Sequence, residues 1–180
     1  MSTSRKPSLA LRRRQLDEAI LQSEEGAIFS PDRAHRYVLW RRWAEHGPSV
    51  LFVGLNPSTA DERTNDPTIR RCISFAGKFG ATTLIVANLF AFRATKPRDL
   101  LCAADPVGPE ADAWLEVSTN YAKNTVACWG AHGAFLARAS AVLPMLRNPY
   151  CFGTTMGGEP KHPLYLGGAT KPLPLPGGHA

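Results

Sequence analysis

The stretch Ser49-Val50-Leu51-Phe52-Val53-Gly54-Leu55-Asn56-Pro57-Ser58-Thr59-Ala60-Asp61 decides how the rest of the chain is read. Residues 49–55 form a short apolar run, the pattern of a strand covered on both faces. The run stops at Asn56-Pro57, because the residue before a proline is pushed away from helix and a proline cannot donate to a central ladder. A strand buried on both faces needs helices above and below it, which a chain of alternating helices and strands supplies.

Downstream the alternation continues. Asp66-Pro67 opens a helix, with Asp66 as N-cap and Pro67 in the first turn. Ile69, Cys72, Ile73 and Ala76 form its apolar stripe, and Gly80 supplies the stop. Leu84–Val86 reads as a second buried strand ending near Asn88. A helix over Glu110–Tyr121, a strand over Thr125–Trp129, a continuous helix over Ala131–Leu146 and a strand over Tyr150–Phe152 follow, and the tail after Gly167 is mostly loop. Upstream, Leu9–Leu21 has the spacing of a short amphipathic helix, and Ala27–Ser30 and Tyr37–Trp43 flank the turn residues Pro31-Asp32-Arg33 as a hairpin. The expected fold is α/β, a three-layer αβα sandwich around a mostly parallel sheet, preceded by an N-terminal helix and a β-hairpin.

At 180 residues, 44% hydrophobic and 20% charged, the chain suits one domain and does not match disordered, collagenous or coiled-coil compositions. No apolar run approaches the roughly 20 residues of a membrane span, and the N-terminus lacks the apolar core of a secretory signal. The formal charge of +6 is uneven: residues 1–14 carry +5, residues 15–122 carry −3 and residues 123–180 carry +4. Residues 1–14 are therefore read as a flexible basic tail and 15–180 as a single domain. The charge permits a polyanionic partner without establishing one. Cys72, Cys102, Cys128 and Cys151 lie in apolar or helical surroundings with no C-x-x-C pair, which points to buried thiols in a reducing, cytoplasmic setting. No spacing completes a zinc site, and neither dinucleotide nor P-loop glycine patterns occur, so neither a metal nor a cofactor is expected.

Ligands of such sheets bind at the carboxyl ends of the strands, here after Leu55, Val86 and Trp129. The loop from Gly54 through Asn56, Pro57 and Ser58 to Asp61 combines exposed backbone N–H groups with short polar side chains, which can hold an anion or position a water. It also fits a capped turn in which Asn56 and Asp61 bond their own backbone. Asn88, with a donor and acceptors, suits reading a pyrimidine or amide edge, and Phe90 or Phe92 nearby suits stacking on it, with Arg93 following. The alternative is a satisfied amide beside core phenylalanines. Pro160-Lys161-His162-Pro163-Leu164-Tyr165 is the third cluster, whereas Arg70 and Arg71 read as a solvated helix face.

Taken in order, these clusters resemble the uracil-DNA glycosylase superfamily, in particular its mismatch-specific branch. Leu51-Phe52-Val53-Gly54-Leu55-Asn56-Pro57 is similar to that branch's strand-end motif, Leu84–Thr95 to its base-reading segment, and His162-Pro163 to its late His-Pro or Asn-Pro loop. Ser58 stands where the branch has glycine, and Leu164 where it has serine. The whole chain, with its Leu-Asn-Pro-Ser-Thr-Ala-Asp, Asp-Pro-Thr and His-Pro-Leu-Tyr runs, looks still more like a bacterial and phage family of uncharacterised function. The superfamily resemblance implies catalytic roles for Asn56, orienting water at the sugar carbon, and for His162, stabilising charge on a departing pyrimidine. It implies that Asn88 reads the base and that Tyr165 fills the gap left by a flipped nucleotide, and with the loop residues Gly54, Pro57, Ser58 and Asp61 and with Phe90, Arg93 and Lys161 these complete the expected substrate-binding set. The expected function is then hydrolysis of the N-glycosidic bond of a pyrimidine, plain or modified, in DNA or a nucleotide. A noncatalytic nucleic-acid or nucleotide-binding module on the same fold is the alternative, and another small-molecule hydrolase or transferase a third.

Overall fold

The computed structural model describes residues 7–178. Helix α1 (Leu9–Gln22) is followed by the hairpin strands β1 (Glu25–Phe29) and β2 (Arg36–Arg42), then β3 (Ser49–Gly54), α2 (Pro67–Ala76) and β4 (Thr83–Asn88). Next come the short α3 (Pro97–Leu101), α4 (Ala111–Tyr121), β5 (Asn124–Ala127), α5 (Arg138–Val142), β6 (Tyr150–Cys151) and β7 (Leu173–Pro174). The strands make one seven-stranded sheet in the order β1-β2-β4-β3-β5-β6-β7. The β4-β3-β5-β6 block is parallel, while β1-β2, β2-β4 and β6-β7 pair antiparallel. The sheet is thus mixed rather than mostly parallel, because the hairpin inserts β2 directly against β4.

Strand alternation sorts β3 between two apolar layers. Leu51 and Val53 pack with Leu16 and Ile20 of α1 and Trp114 and Leu115 of α4, whereas Val50 and Phe52 pack with Ile69, Cys72 and Phe75 of α2. Helices therefore cover both faces. Helix α2 starts as its local sequence dictates: Asp66 Oδ1 accepts from Ile69 N–H at 2.8 Å and Pro67 follows the cap. Past Ala76 the chain tightens into a 3-10 turn and ends at Gly80, whose φ of 60° is the left-handed conformation glycine takes without strain.

Three further expectations are corrected. The helix expected from Leu9 forms and shortens the basic tail drawn over 1–14: Ser8 caps α1, and Arg12 is buried and paired with Glu110 at 2.7 Å, so burial rather than solvation holds that turn. Residues 1–6 of that tail lie outside the described residues. The helix expected over Ala131–Leu146 is broken, because Leu136 and Ala137 both take φ of 53° and turn the chain. Arg138 thereby enters the interior, where its Nε donates to the Leu89 carbonyl at 2.7 Å and its guanidinium pairs with Asp112. Finally, Cys72, Cys128 and Cys151 are buried as expected, but Cys102 is exposed. Among the described residues no helix is long and apolar enough to cross a membrane.

Candidate functional site

The carboxyl ends of β3, β4 and β5 open into a cleft of about 760 Å³ on the α2 face of the sheet. Gly54, Asn56, Ser58, Asn88, Lys161, His162 and Tyr165, all singled out from sequence, line it. Pro57, Asp61, Phe90 and Arg93 do not. Asp61 closes its own turn, its Oδ1 accepting from Arg63 N–H at 3.0 Å and Thr64 N–H at 2.7 Å. Phe90 is fully buried in the opposite layer, 5.4 Å from the Phe135 ring. Arg93 lies over the Phe29 ring, and Pro57 is buried as the anchor whose carbonyl accepts from Ala94 N–H. The aromatic rings expected to stack on a ligand, Phe90 and Phe92, both lie outside the cleft; Phe52, Trp129 and Tyr165 line it instead.

The β3–β4 register places Gly54 opposite Asn88. Two further backbone bonds, Leu89 N–H to Gly54 O and Phe90 N–H to Leu55 O, each 2.9 Å, extend the pairing beyond the strands and clamp both loops. Glycine at 54 makes room for the amide: a Cβ there would stand 2.8 Å from Asn88 Oδ1. Asn88 is 8% exposed, and its Nδ2 has no hydrogen-bond partner. Asn56 is anchored differently. Its Nδ2 donates to Pro57 O at 2.9 Å and to Ala94 O at 2.8 Å, which uses both amide protons and leaves Oδ1 in a set orientation as an acceptor.

His162 arrives from the far end of the chain. Gly130 N–H donates to Pro160 O at 2.8 Å and Lys161 N–H to Gly153 O at 2.9 Å, tying its loop to the end of β5 and to the segment after β6. Its Nδ1 accepts from Leu164 N–H at 3.4 Å, so the neutral ring carries its proton on Nε2. Burial pulls its pKa below 6.5, with Asp66 opposing, and the ring is neutral at pH 7. From α2, Arg71 donates to the carbonyls of Pro163 and Leu166 and holds this loop against the helix. The expected solvated face is therefore half a clamp: Arg70 stays exposed and Arg71 does not.

Sequence reasoning missed Arg36, Asp66 as a wall residue, and the thiol pair Cys72–Cys128. The thiols line the cleft, and the hydrogen bond that the Cys72 thiol donates to Cys128, followed by burial, raises Cys72 well above the ordinary thiol range, which keeps it protonated. Arg36 reaches the cleft through a β-bulge. Ile28 faces Val38 and Phe29 faces Arg36, so Tyr37 is the extra residue. Tyr37 stays with Val38 and Trp40 in the α4 layer, and Arg36 turns to the α2 face beside Phe52 and Cys72. The sequence signal was a cation heading the apolar run Tyr37–Trp40. Lys96 and Lys161 stand exposed at the cleft margin, so its lining is net cationic. Among the described residues no group of three or more His, Cys, Asp and Glu side chains gathers to hold a metal.

A family model described as a protein of unknown function (DUF1643) matches residues 36–164, a span from Arg36 to Leu164 that contains most of this cleft. No curated protein and no solved structure matches the chain.

Proposed function

The chain belongs to that family of proteins of unknown function (DUF1643), and from its cleft we propose that it binds a pyrimidine nucleotide, free or within a nucleic acid, and hydrolyses the N-glycosidic bond. The observation that carries this reading is the convergence of Asn56, Asn88 and His162 on one cleft whose volume suits a small ligand. Each offers what the reaction needs. Asn56 Oδ1, its amide protons already engaged, accepts from a water and aims that water's lone pair at the sugar carbon. Loss of the base through an oxocarbenium-like state needs little nucleophilic push, so an amide that positions water without taking its proton is sufficient. Asn88 Nδ2, buried and unpartnered, donates to a ring carbonyl. Neutral His162 donates from Nε2 to the oxygen on which charge builds as the base departs. Tyr165, exposed in the cleft lining, offers an aromatic face for the ring.

The superfamily resemblance supports the same assignment by position and belongs to this proposal. A noncatalytic binding module is the second reading, and one observation favours it: both Asn56 amide protons serve the loop's own carbonyls, as in a purely structural turn. The test incubates the protein with oligonucleotides and free nucleotides carrying uracil, mismatched thymine or modified pyrimidines, and follows base release beside binding. Release that drops in Asn56→Ala and His162→Ala is the expected result. Binding that survives Asn56→Ala without any release selects the noncatalytic module. Absence of both binding and release overturns the proposal.

A further inference from the structure

The buried arginines of this protein form an internal comparison. Arg41, 5% exposed, donates to Trp40 O at 2.7 Å, Asp61 O at 2.7 Å and Asn65 Oδ1 at 2.8 Å. Arg138, 7% exposed, bonds the Leu89 carbonyl and pairs with Asp112. Arg36 is more deeply buried than either, at 2% exposed, yet it makes one side-chain hydrogen bond, to Ala60 O at 2.7 Å. Its Nε has no partner, and among the described residues no carboxylate lies within ion-pair distance of it. Burial draws its pKa down to about 10, so it remains a cation at neutral pH. Asp66, the acid that most offsets it, has Oδ1 engaged in capping α2.

A buried charge with no ion-pair partner is costly unless something completes it. Asn88, on the adjacent strand and also more than nine-tenths buried, presents a second unpartnered donor at the same cleft. Both unfilled groups are donors, and both lie beyond the last β2–β4 register pair, Leu39 with Val86. We propose that the floor of the cleft is a site for an anionic oxygen group of the ligand, a carboxylate or a phosphate, held jointly by Arg36 and Asn88. Arg36 supplies the charge and an N–H, and the Asn88 Nδ2 proton not given to the ring carbonyl supplies a second N–H that fixes the group's orientation. The inference deepens the proposed function by requiring an anionic ligand, and it rests on the same cleft but not on bond cleavage.

The experiment measures binding to the full chain by calorimetry and thermal shift, with inorganic phosphate, uridine 5′-monophosphate, orotate and uridine as probes. Saturable binding of an anionic probe, with a rise in Tm that uridine does not match, is expected. Phosphate and the monophosphate binding without orotate identifies a phosphate; orotate binding without phosphate identifies a carboxylate on the ring. Uridine binding as tightly as every anionic probe, or no anionic probe binding, overturns the site. Two variants read the mechanism. Asn88→Asp places a carboxylate of the same shape beside Arg36, so the ligand-free protein should melt at a higher temperature and bind the anion about tenfold or more weakly. Arg36→Lys keeps the charge but loses the Nε–H and should weaken binding by a similar factor. If Arg36→Lys does not fold, Asn88→Asp alone decides: undiminished anion binding in that variant refutes the proposal. Arg36-dependent anion binding without nucleotide binding or base release sinks the proposed function while this site stands, and base release without dependence on Arg36 does the reverse.

Discussion

Replacing Gly54 by alanine tests how the strand register builds the cleft. The new Cβ would stand 2.8 Å from Asn88 Oδ1 and 3.9 Å from its Cγ, so the first contact must lengthen by a few tenths of an ångström. Asn88 is 8% exposed, which leaves its amide little space to swing away. Overpacking of this kind costs about 1–3 kcal/mol. Alanine also restricts the unfolded chain, which returns about 0.4–1 kcal/mol, and Gly54 does not hold a positive φ that alanine would resist. The net expectation is a loss of about 1–2 kcal/mol, or roughly 2–8 °C in Tm for a chain of this size. Removing the opposing amide reverses the sign: in an Asn88→Ala background Gly54→Ala should be neutral or stabilising by about 0.4–1 kcal/mol. Urea unfolding of the four proteins, closed as a double-mutant cycle, reads the coupling directly. Equal costs of Gly54→Ala in the two backgrounds would refute the claim that glycine is there to admit the Asn88 amide.

Further outcomes are expected at His162, Arg71, Arg138 and Asp112. Because burial depresses His162, the native protein should lose stability as pH falls below about 6.5, where the unfolded imidazole takes up a proton that the folded one refuses, and should stop losing it once the native pKa is passed. In His162→Asn, which keeps an acceptor for Leu164 N–H, the difference in unfolding free energy between pH 7 and pH 5 should shrink. Arg71→Leu removes the donors to Pro163 O and Leu166 O and should cost about 1–3 kcal/mol, with amide exchange over residues 162–166 accelerating more than in the core strands. Arg138→Met should cost about 1–3 kcal/mol in chemical unfolding because it strands the buried Leu89 carbonyl. Asp112→Asn, whose side chain is 61% exposed, should cost under about 1 kcal/mol.

Much of the fold was legible because it is written in short-range chemistry. The Asp66-Pro67 helix start, the strand ending at Asn56-Pro57, the hairpin turn at Pro31-Asp32-Arg33 and the strand ending at Asn88 all follow from backbone sterics and capping within a few residues. The break at Leu136–Ala137 was not legible, since its reward, an anchored Arg138, lies on a carbonyl far away in the chain. Phe90 was misread for a related reason: its neighbour Asn88 meets the cleft, but whether the next aromatic faces the cleft or the opposite layer depends on the path of the chain after β4. Asp61 shows the converse, a polar residue whose demands are met entirely within its own turn.

The sequence by itself determined the order of elements from α1 to β4, the both-sided burial of the central strands and the strand ends where polar residues collect, because each depends on spacing and local conformational preference. Only the tertiary structure decided which of those residues share a cleft. Asn56, Asn88 and His162 come from three separate connections, brought together by parallel pairing that no local signal encodes. The β-bulge at Tyr37 is the sharpest case. One unmatched residue between β1 and β2 reverses the side-chain alternation and turns Arg36 from one face of the sheet to the other, because strand periodicity is two and a single extra residue flips all that follows.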